Sequence, residues 1–140
     1  MTRKSNSGGA FFHGTHLIQH FSNSQNHVAL SSAEAELNAS VKVFGESIGI
    51  RNMCHDIGIE CSIEVFTDSS AAKGIMTRRG CGKIKHIQAK QLWIQEYVIS
   101  GDVKVFKVQR KDNTSDAFTH NWSVVDSKSH FVKLGIYSSC

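Results

Sequence analysis

Proline is absent from these 140 residues. Every chain reversal must therefore rest on Gly, Asn, Ser or Asp, and no helix or strand has to accommodate a fixed φ or a missing backbone donor. Long apolar runs are absent as well. Nothing approaches the roughly 18 consecutive apolar residues of a membrane-spanning helix. The basic start, Met1-Thr2-Arg3-Lys4-Ser5-Asn6-Ser7-Gly8-Gly9, leads into no apolar signal core. The expectation is an intracellular chain with no membrane partner. Cysteine is sparse: Cys54, Cys61, Cys81 and Cys140 show no CxxC spacing. That argues against a zinc site and, without a secretory signal, against a disulfide framework. The four are read as free thiols. Internal repeats and low-complexity segments are missing too.

What is present describes one ordinary domain. Hydrophobic residues make up 40% and charged residues 20%, usual for a globular protein long enough to bury a core. The net charge of +4 and pI near 9.0 permit a polyanionic partner. The distribution is more telling. Between Lys73 and Lys90 stand Lys73, Arg78, Arg79, Lys83, Lys85 and Lys90, with no acidic residue among them. Such a run is either a solvated basic face or a phosphate-binding surface.

Periodicity gives the element order. Gly8 to His13 reads as a strand ending at a turn on Gly14, and Thr15 to Phe21 as a second. His27 to Leu30 reads as a brief third strand. Ser31-Ser32-Ala33-Glu34 is a capping box. Behind it Ala33, Leu37, Val41, Phe44 and Ile48 recur at helical spacing, past Met53 to a stop at Gly58. Cys61 to Thr67 predicts a strand with Ile63 and Val65 on one face. Asp68-Ser69-Ser70 then caps a short helix to Met76. A second helix is expected from about His86 to Ser100, its apolar face formed by Ile87, Ile94 and Val98 and widened by Leu92 and Ile99. Val103 to Val108 alternates as a strand, and Thr114 to Thr119 forms a helical turn. Antiparallel strands first, then strands alternating with helices, indicate an α/β chain with a mixed sheet.

Three carboxylates stand out by position. Glu36 lies in the first turns of the long helix, Asp68 at the C-terminal end of a strand, where α/β folds place their sites, and Asp116 in the last helical turn. Converging carboxylates would suit hard divalent cations and two-metal phosphodiester chemistry. Each also has an ordinary role available, as a cap, a dipole-favoured first-turn residue or a surface charge.

The segment Val28-Ala29-Leu30-Ser31-Ser32-Ala33-Glu34-Ala35-Glu36-Leu37 resembles the "VALSSxEAE" segment of copia-type retrotransposon ribonuclease H domains. Arg3-Lys4-Ser5-Asn6-Ser7-Gly8 is similar to that family's "RKSTSG". Phe66-Thr67-Asp68-Ser69-Ser70-Ala71 is similar to its strand-end "TDSSA", Lys85-His86-Ile87 to its "KHI", and Asn113-Thr114-Ser115-Asp116-Ala117-Phe118-Thr119 to its closing "NxADxxTK". The five segments run in order over residues 2 to 120.

The resemblance implies a ribonuclease H-like fold over residues 1–120, a five-stranded mixed sheet with three antiparallel strands first, flanked by helices, and a C-terminal tail over 121–140. It implies cleavage of the RNA strand of an RNA–DNA hybrid with two Mg²⁺ ions, Mn²⁺ being the alternative. Glu36, Asp68 and Asp116 would be the catalytic metal ligands. Glu36 is preferred to Glu34 because Ala35-Glu36-Leu37 matches the wider family's "AEL". The basic residues Lys73, Arg78, Arg79, Lys83, Lys85 and Lys90, with His86, would contact nucleic acid. The implied partners are the hybrid and the reverse transcriptase domain of the same polyprotein, in a cytoplasmic retroelement particle or the nucleus.

Two departures are expected to matter. The family's first catalytic aspartate lies upstream of the segment matching Thr2-Arg3-Lys4, so this chain is expected to lack that ligand and most of the first strand, with impaired activity. His120 stands where the family commonly has Lys. The alternatives are a non-catalytic nucleic-acid-binding module and a degenerate element remnant.

Overall fold

A computed structural model describes residues 5–26, 28–29, 31–80 and 89–119. The chain divides into two compact units, one comprising Met1–Val28 with Arg110–Cys140 and the other Ala29–Gln109.

In the first unit, β1 (Asn6–His13) and β2 (His16–Ser24) form an antiparallel hairpin. Its turn uses Gly14 at φ 61°, a conformation that glycine adopts without steric cost. Ser7, Gly9 and Phe11 alternate onto the buried face of β1, while Leu17, Gln19 and Phe21 are the better-covered positions of β2. Phe11 and Phe21 lie 6.1 Å apart between ring centroids. The register shifts between Phe11 and Phe12, a bulge that lets the two strands differ in length. Two short 3₁₀ turns, η1 (Arg110–Asp112) and η2 (Thr114–Phe118), complete the described part of this unit.

The second unit has the order α1 (Ser32–Asp56), β3 (Ile63–Thr67), α2 (Ser70–Thr77), α3 (Ala89–Ser100), β4 (Val103–Lys107). The capping reading of α1 holds: the Ser31 hydroxyl accepts from the Glu34 amide at 3.1 Å, satisfying an orphan donor of the first turn. The helix runs through Gly45 and Gly49 because packing outweighs their propensity cost. It ends where the Ile57 amide bonds back to Cys54 C=O and Gly58 turns at φ 82°. β3 and β4 pair in parallel, Ile63 opposite Val103 through Thr67 opposite Lys107. Ile63, Val65, Thr67 and Val103 are buried, whereas Phe66 and Phe106 stack on the exposed face. The three helices therefore cover one face of this pair. Between them lies a core of Leu37, Phe44, Ile63, Val65, Ala72, Ile75, Met76, Ile94 and Val103. Phe44 and Trp93 meet edge-on at 6.3 Å, which makes Trp93 a packing residue. Each such large side chain, fully buried, contributes about 2–3 kcal/mol relative to exposure.

The five-stranded sheet expected from the sequence is not what forms. The described residues carry four strands, in two separate two-stranded sheets. Val28 and Ala29, the described half of the expected third strand, lie in no strand. Val28 is 55% exposed. The antiparallel start and the parallel later pair are as expected. Ile99, expected on the apolar face of α3, is exposed. His27, Leu30, the start of the second helix at His86 to Gln88, and residues 120–140 lie outside the described residues. No helix of the described residues is long and apolar enough to cross a membrane.

Candidate active site

Glu36 sits on the second turn of α1. Its neighbour Leu37 is 1% exposed and anchors the helix in the core, so Glu36, one residue and 100° away, faces outward and is exposed. The Ser40 hydroxyl donates to the Glu36 carbonyl at 2.9 Å.

Asp68 immediately follows β3, at the C-terminal end of a strand in a parallel pair. It is not the helix cap. That role falls to Ser69, whose hydroxyl accepts from the Ala72 amide at 3.1 Å. The strand end is fixed from both sides. Val108 N–H donates to Thr67 C=O at 2.9 Å, and the buried Thr67 hydroxyl accepts from Ser69 N–H at 3.2 Å. Asp68 is therefore half-buried on a rigid corner. Lys107, opposite Thr67 in the ladder, donates from Nζ to the Ser70 hydroxyl. The ammonium of Lys107 is thereby tied to Ser70, at the start of α2.

Asp116 belongs to the first unit, in η2. Asn113 caps this turn, its Oδ1 accepting from Ser115 N–H at 3.2 Å. The Asp116 side chain is only 15% exposed and pairs with Arg110, whose Nε donates to Oδ2 at 3.3 Å. Gly8 of β1 shows why this turn sits where it does. A Cβ there would stand 2.8 Å from Thr119 Cγ2 and 3.1 Å from the Ser115 carbonyl oxygen. The Asp116 turn thus packs directly on the glycine of β1, and His20 of β2 stacks on Phe118 with centroids 4.8 Å apart.

Glu36 and Asp68 therefore share one unit, and Asp116 is held in the other. All three are oxygen donors of the kind Mg²⁺ or Mn²⁺ takes, and no thiol or imidazole stands among them. Among the described residues, no group of three or more His, Cys, Asp or Glu is gathered for a metal ion.

Of the basic residues, Lys73 lies half-buried on α2, Arg78 follows its last turn, and Arg79 is exposed. Lys83, Lys85 and His86 lie outside the described residues, as does the side chain of Lys90. One residue that the sequence reading missed organises this region. Gln95, 5% exposed, donates from Nε2 to Ile75 C=O at 2.8 Å and to Gly80 C=O at 3.0 Å, while its Oε1 accepts from Gly80 N–H at 2.8 Å. It clamps the turn that presents Arg78 and Arg79. Its signal was a glutamine beside Ile94 on a helix otherwise burying apolar residues. Lys107 and Arg110 were missed as well, because neither partnership has a local sequence period.

The chain is 30% identical over 119 residues to the retrovirus-related Pol polyprotein from transposon TNT 1-94 of Nicotiana tabacum. The match covers 84% of this chain and 9% of that polyprotein. It supports a retrotransposon Pol origin. No protein-family model matches the chain. No solved structure matches it either.

Proposed function

We propose that this chain is the ribonuclease H part of a copia-type Pol polyprotein, cutting the RNA strand of RNA–DNA hybrids with Glu36, Asp68 and Asp116 as acidic ligands. One observation carries the proposal: within a single unit, Asp68 ends a parallel strand on a hydrogen-bonded corner while Glu36 projects from the outer side of α1. An aspartate that merely capped a helix would not leave that role to Ser69. Mg²⁺, when bound by such carboxylates, supplies activation of water and stabilisation of the leaving oxygen.

The chain's own residues do the positioning. The backbone on either side of Asp68 is held by the Thr67–Ser69 bond, and Lys107, bonded to Ser70, would bring positive charge to this strand end for a phosphodiester. Arg110 pairs with the Asp116 carboxylate. Lys73, Arg78 and Arg79, with Lys83, Lys85, His86 and Lys90, would contact the hybrid through phosphates and 2′-hydroxyls. The partner domain would be the reverse transcriptase of the same polyprotein, within a cytoplasmic retroelement particle or the nucleus.

The test is cleavage of an end-labelled RNA–DNA hybrid in Mg²⁺ by the wild-type chain and by Asp68→Asn. Cleavage lost in the variant supports the assignment, and equal cleavage by both refutes it. A second reading, a non-catalytic hybrid-binding module, is favoured by the Gln95 clamp on the Arg78–Gly80 turn. Binding that weakens with salt, without cutting by the wild type, would select it.

A further inference from the structure

The β1–β2 hairpin has two faces, and η2 rests on one of them. In the strand register Gly8 stands opposite Ser22 and Ala10 opposite His20. Alternation puts these four residues on one side of the pair and Ser7, Gly9 and Phe11 on the other. On the first side β1 contributes small residues at these positions, so a segment can lie close against it, while β2 contributes a hydroxyl and a flat ring. η2 uses each of these. A Cβ at Gly8 would stand 3.1 Å from the Phe118 Cβ. The Ser22 hydroxyl donates to the Phe118 carbonyl. The His20 imidazole stacks on the Phe118 ring with centroids 4.8 Å apart and planes within 2° of parallel, the offset arrangement that aromatic rings prefer.

All three contacts converge on Phe118, and Phe118 is tied to Asp116 through the backbone. The Asp116 carbonyl accepts from the Thr119 amide at 3.2 Å and from the Thr119 hydroxyl at 3.2 Å. The first of these bonds closes a loop of backbone with Phe118 inside it, so Phe118 cannot swing without disturbing Asp116. On the other side, Asp116 N–H donates to Asn113 C=O at 3.2 Å. From this geometry we propose that His20 is a positioning residue for Asp116, acting through the Phe118 ring. The stack fixes Phe118, and Phe118 fixes the turn that carries the Asp116 carboxylate. The consequence for metal binding rests on the ribonuclease reading of Asp116; the ordering of the turn does not.

Gly8 and Ser22 meet the backbone and Cβ of Phe118, whereas His20 holds its ring, and does so from an exposed position. His20 therefore adds little to a buried core, and its removal is felt locally. A stack of this kind shifts a local equilibrium by about 2- to 10-fold. It needs a flat ring but no ring nitrogen. His20→Phe keeps it and His20→Ala abolishes it. A His20 that exchanged protons with substrate would be lost equally in both variants.

The experiment compares the full chain with His20→Ala and His20→Phe by two measurements. The first is solvent exchange of backbone amides, followed by NMR. The Thr119 amide, bonded to the Asp116 carbonyl, should exchange about 2- to 10-fold faster in His20→Ala and return to the wild-type rate in His20→Phe. Amides of α1, in the other unit, should be unchanged. The second is hybrid cleavage as a function of Mg²⁺. His20→Ala should need about 2- to 10-fold more Mg²⁺ for half-maximal cleavage, with the rate at saturating Mg²⁺ and the KM for hybrid near wild type. His20→Phe should match the wild type. Thr119 exchange that is the same in all three chains overturns the proposal, as does an equal loss in both variants. A wild-type chain that cuts no hybrid counts against the ribonuclease reading, and the exchange rates still decide whether His20 orders the turn.

Discussion

Gln95 offers the sharpest check on the physical account of the second unit. Its amide makes three hydrogen bonds while 5% exposed, and each such bond is worth about 1 kcal/mol net. Gln95→Ala removes all three. Gly80 is exposed, so water can replace its two bonds, whereas Ile75, 4% exposed, keeps its carbonyl on the buried side. The expected loss lies between about 1 and 3 kcal/mol. In urea this lowers the midpoint by roughly 1 M, with m unchanged. Tryptophan fluorescence of a Trp122→Phe background, leaving Trp93 beside the same core, can follow the transition. Gln95→Glu is the more discriminating variant. It keeps the acceptor for Gly80 N–H but turns a carboxylate oxygen toward two carbonyl oxygens. Burial and those dipoles raise the folded pKa of that carboxyl above its unfolded value of about 4.3. The extra penalty is then small below that pH and grows as pH rises through the folded pKa, where the folded state must give up its proton. A Gln95→Ala loss under about 0.5 kcal/mol, well short of even one hydrogen bond, would refute the clamp. A Gln95→Glu deficit flat from pH 4 to 8 would refute its geometry.

Gly8→Ala should destabilise the first unit by about 1–3 kcal/mol, because the new methyl group overpacks against Thr119 and the Ser115 carbonyl; chemical denaturation measures it. Phe44→Ala should cost about 3–5 kcal/mol by opening a cavity under α1. Glu36→Gln, on the exposed side of the same helix, should change stability by less than about 0.5 kcal/mol. Under the proposed function it should nonetheless abolish hybrid cleavage, so comparing its denaturation midpoint with its activity separates a functional residue from a structural one.

Local chemistry was legible where the determinant was local. The Ser31 cap, the end of α1 near Gly58, the turn at Gly14, the β3 face of Ile63 and Val65, and the Asn113-capped turn holding Asp116 all follow from side-chain to backbone bonding or from periodicity over a few residues. That Val28 and Ala29 lie in no strand was not legible, because a short apolar run forms a strand only if a partner pairs with it. Of the acidic residues, sequence order marked Glu36, Asp68 and Asp116, but not their company. Lys107 reaches Ser70 only through the parallel register of β3 and β4, and Arg110 reaches Asp116 only through the fold of two consecutive 3₁₀ turns.

The same division holds for the cysteines and the glycines. Cys54 and Cys61 are free, as read from the absence of CxxC spacing, while Cys81 and Cys140 lie outside the described residues. Only the folded turn, reversing on Gly58, brings the Ile59 amide back to the Cys54 carbonyl. Likewise Gly8 reads as a generic strand glycine until the Asp116 turn is seen resting on it. The sequence by itself determined the order of the elements apart from the strand expected after β2, the caps and which carboxylates stand at element ends, because these depend on interactions spanning a few residues. The tertiary structure decided which side chains surround those carboxylates and which strands pair, because each is a contact between segments whose separation along the chain encodes nothing about their distance in space.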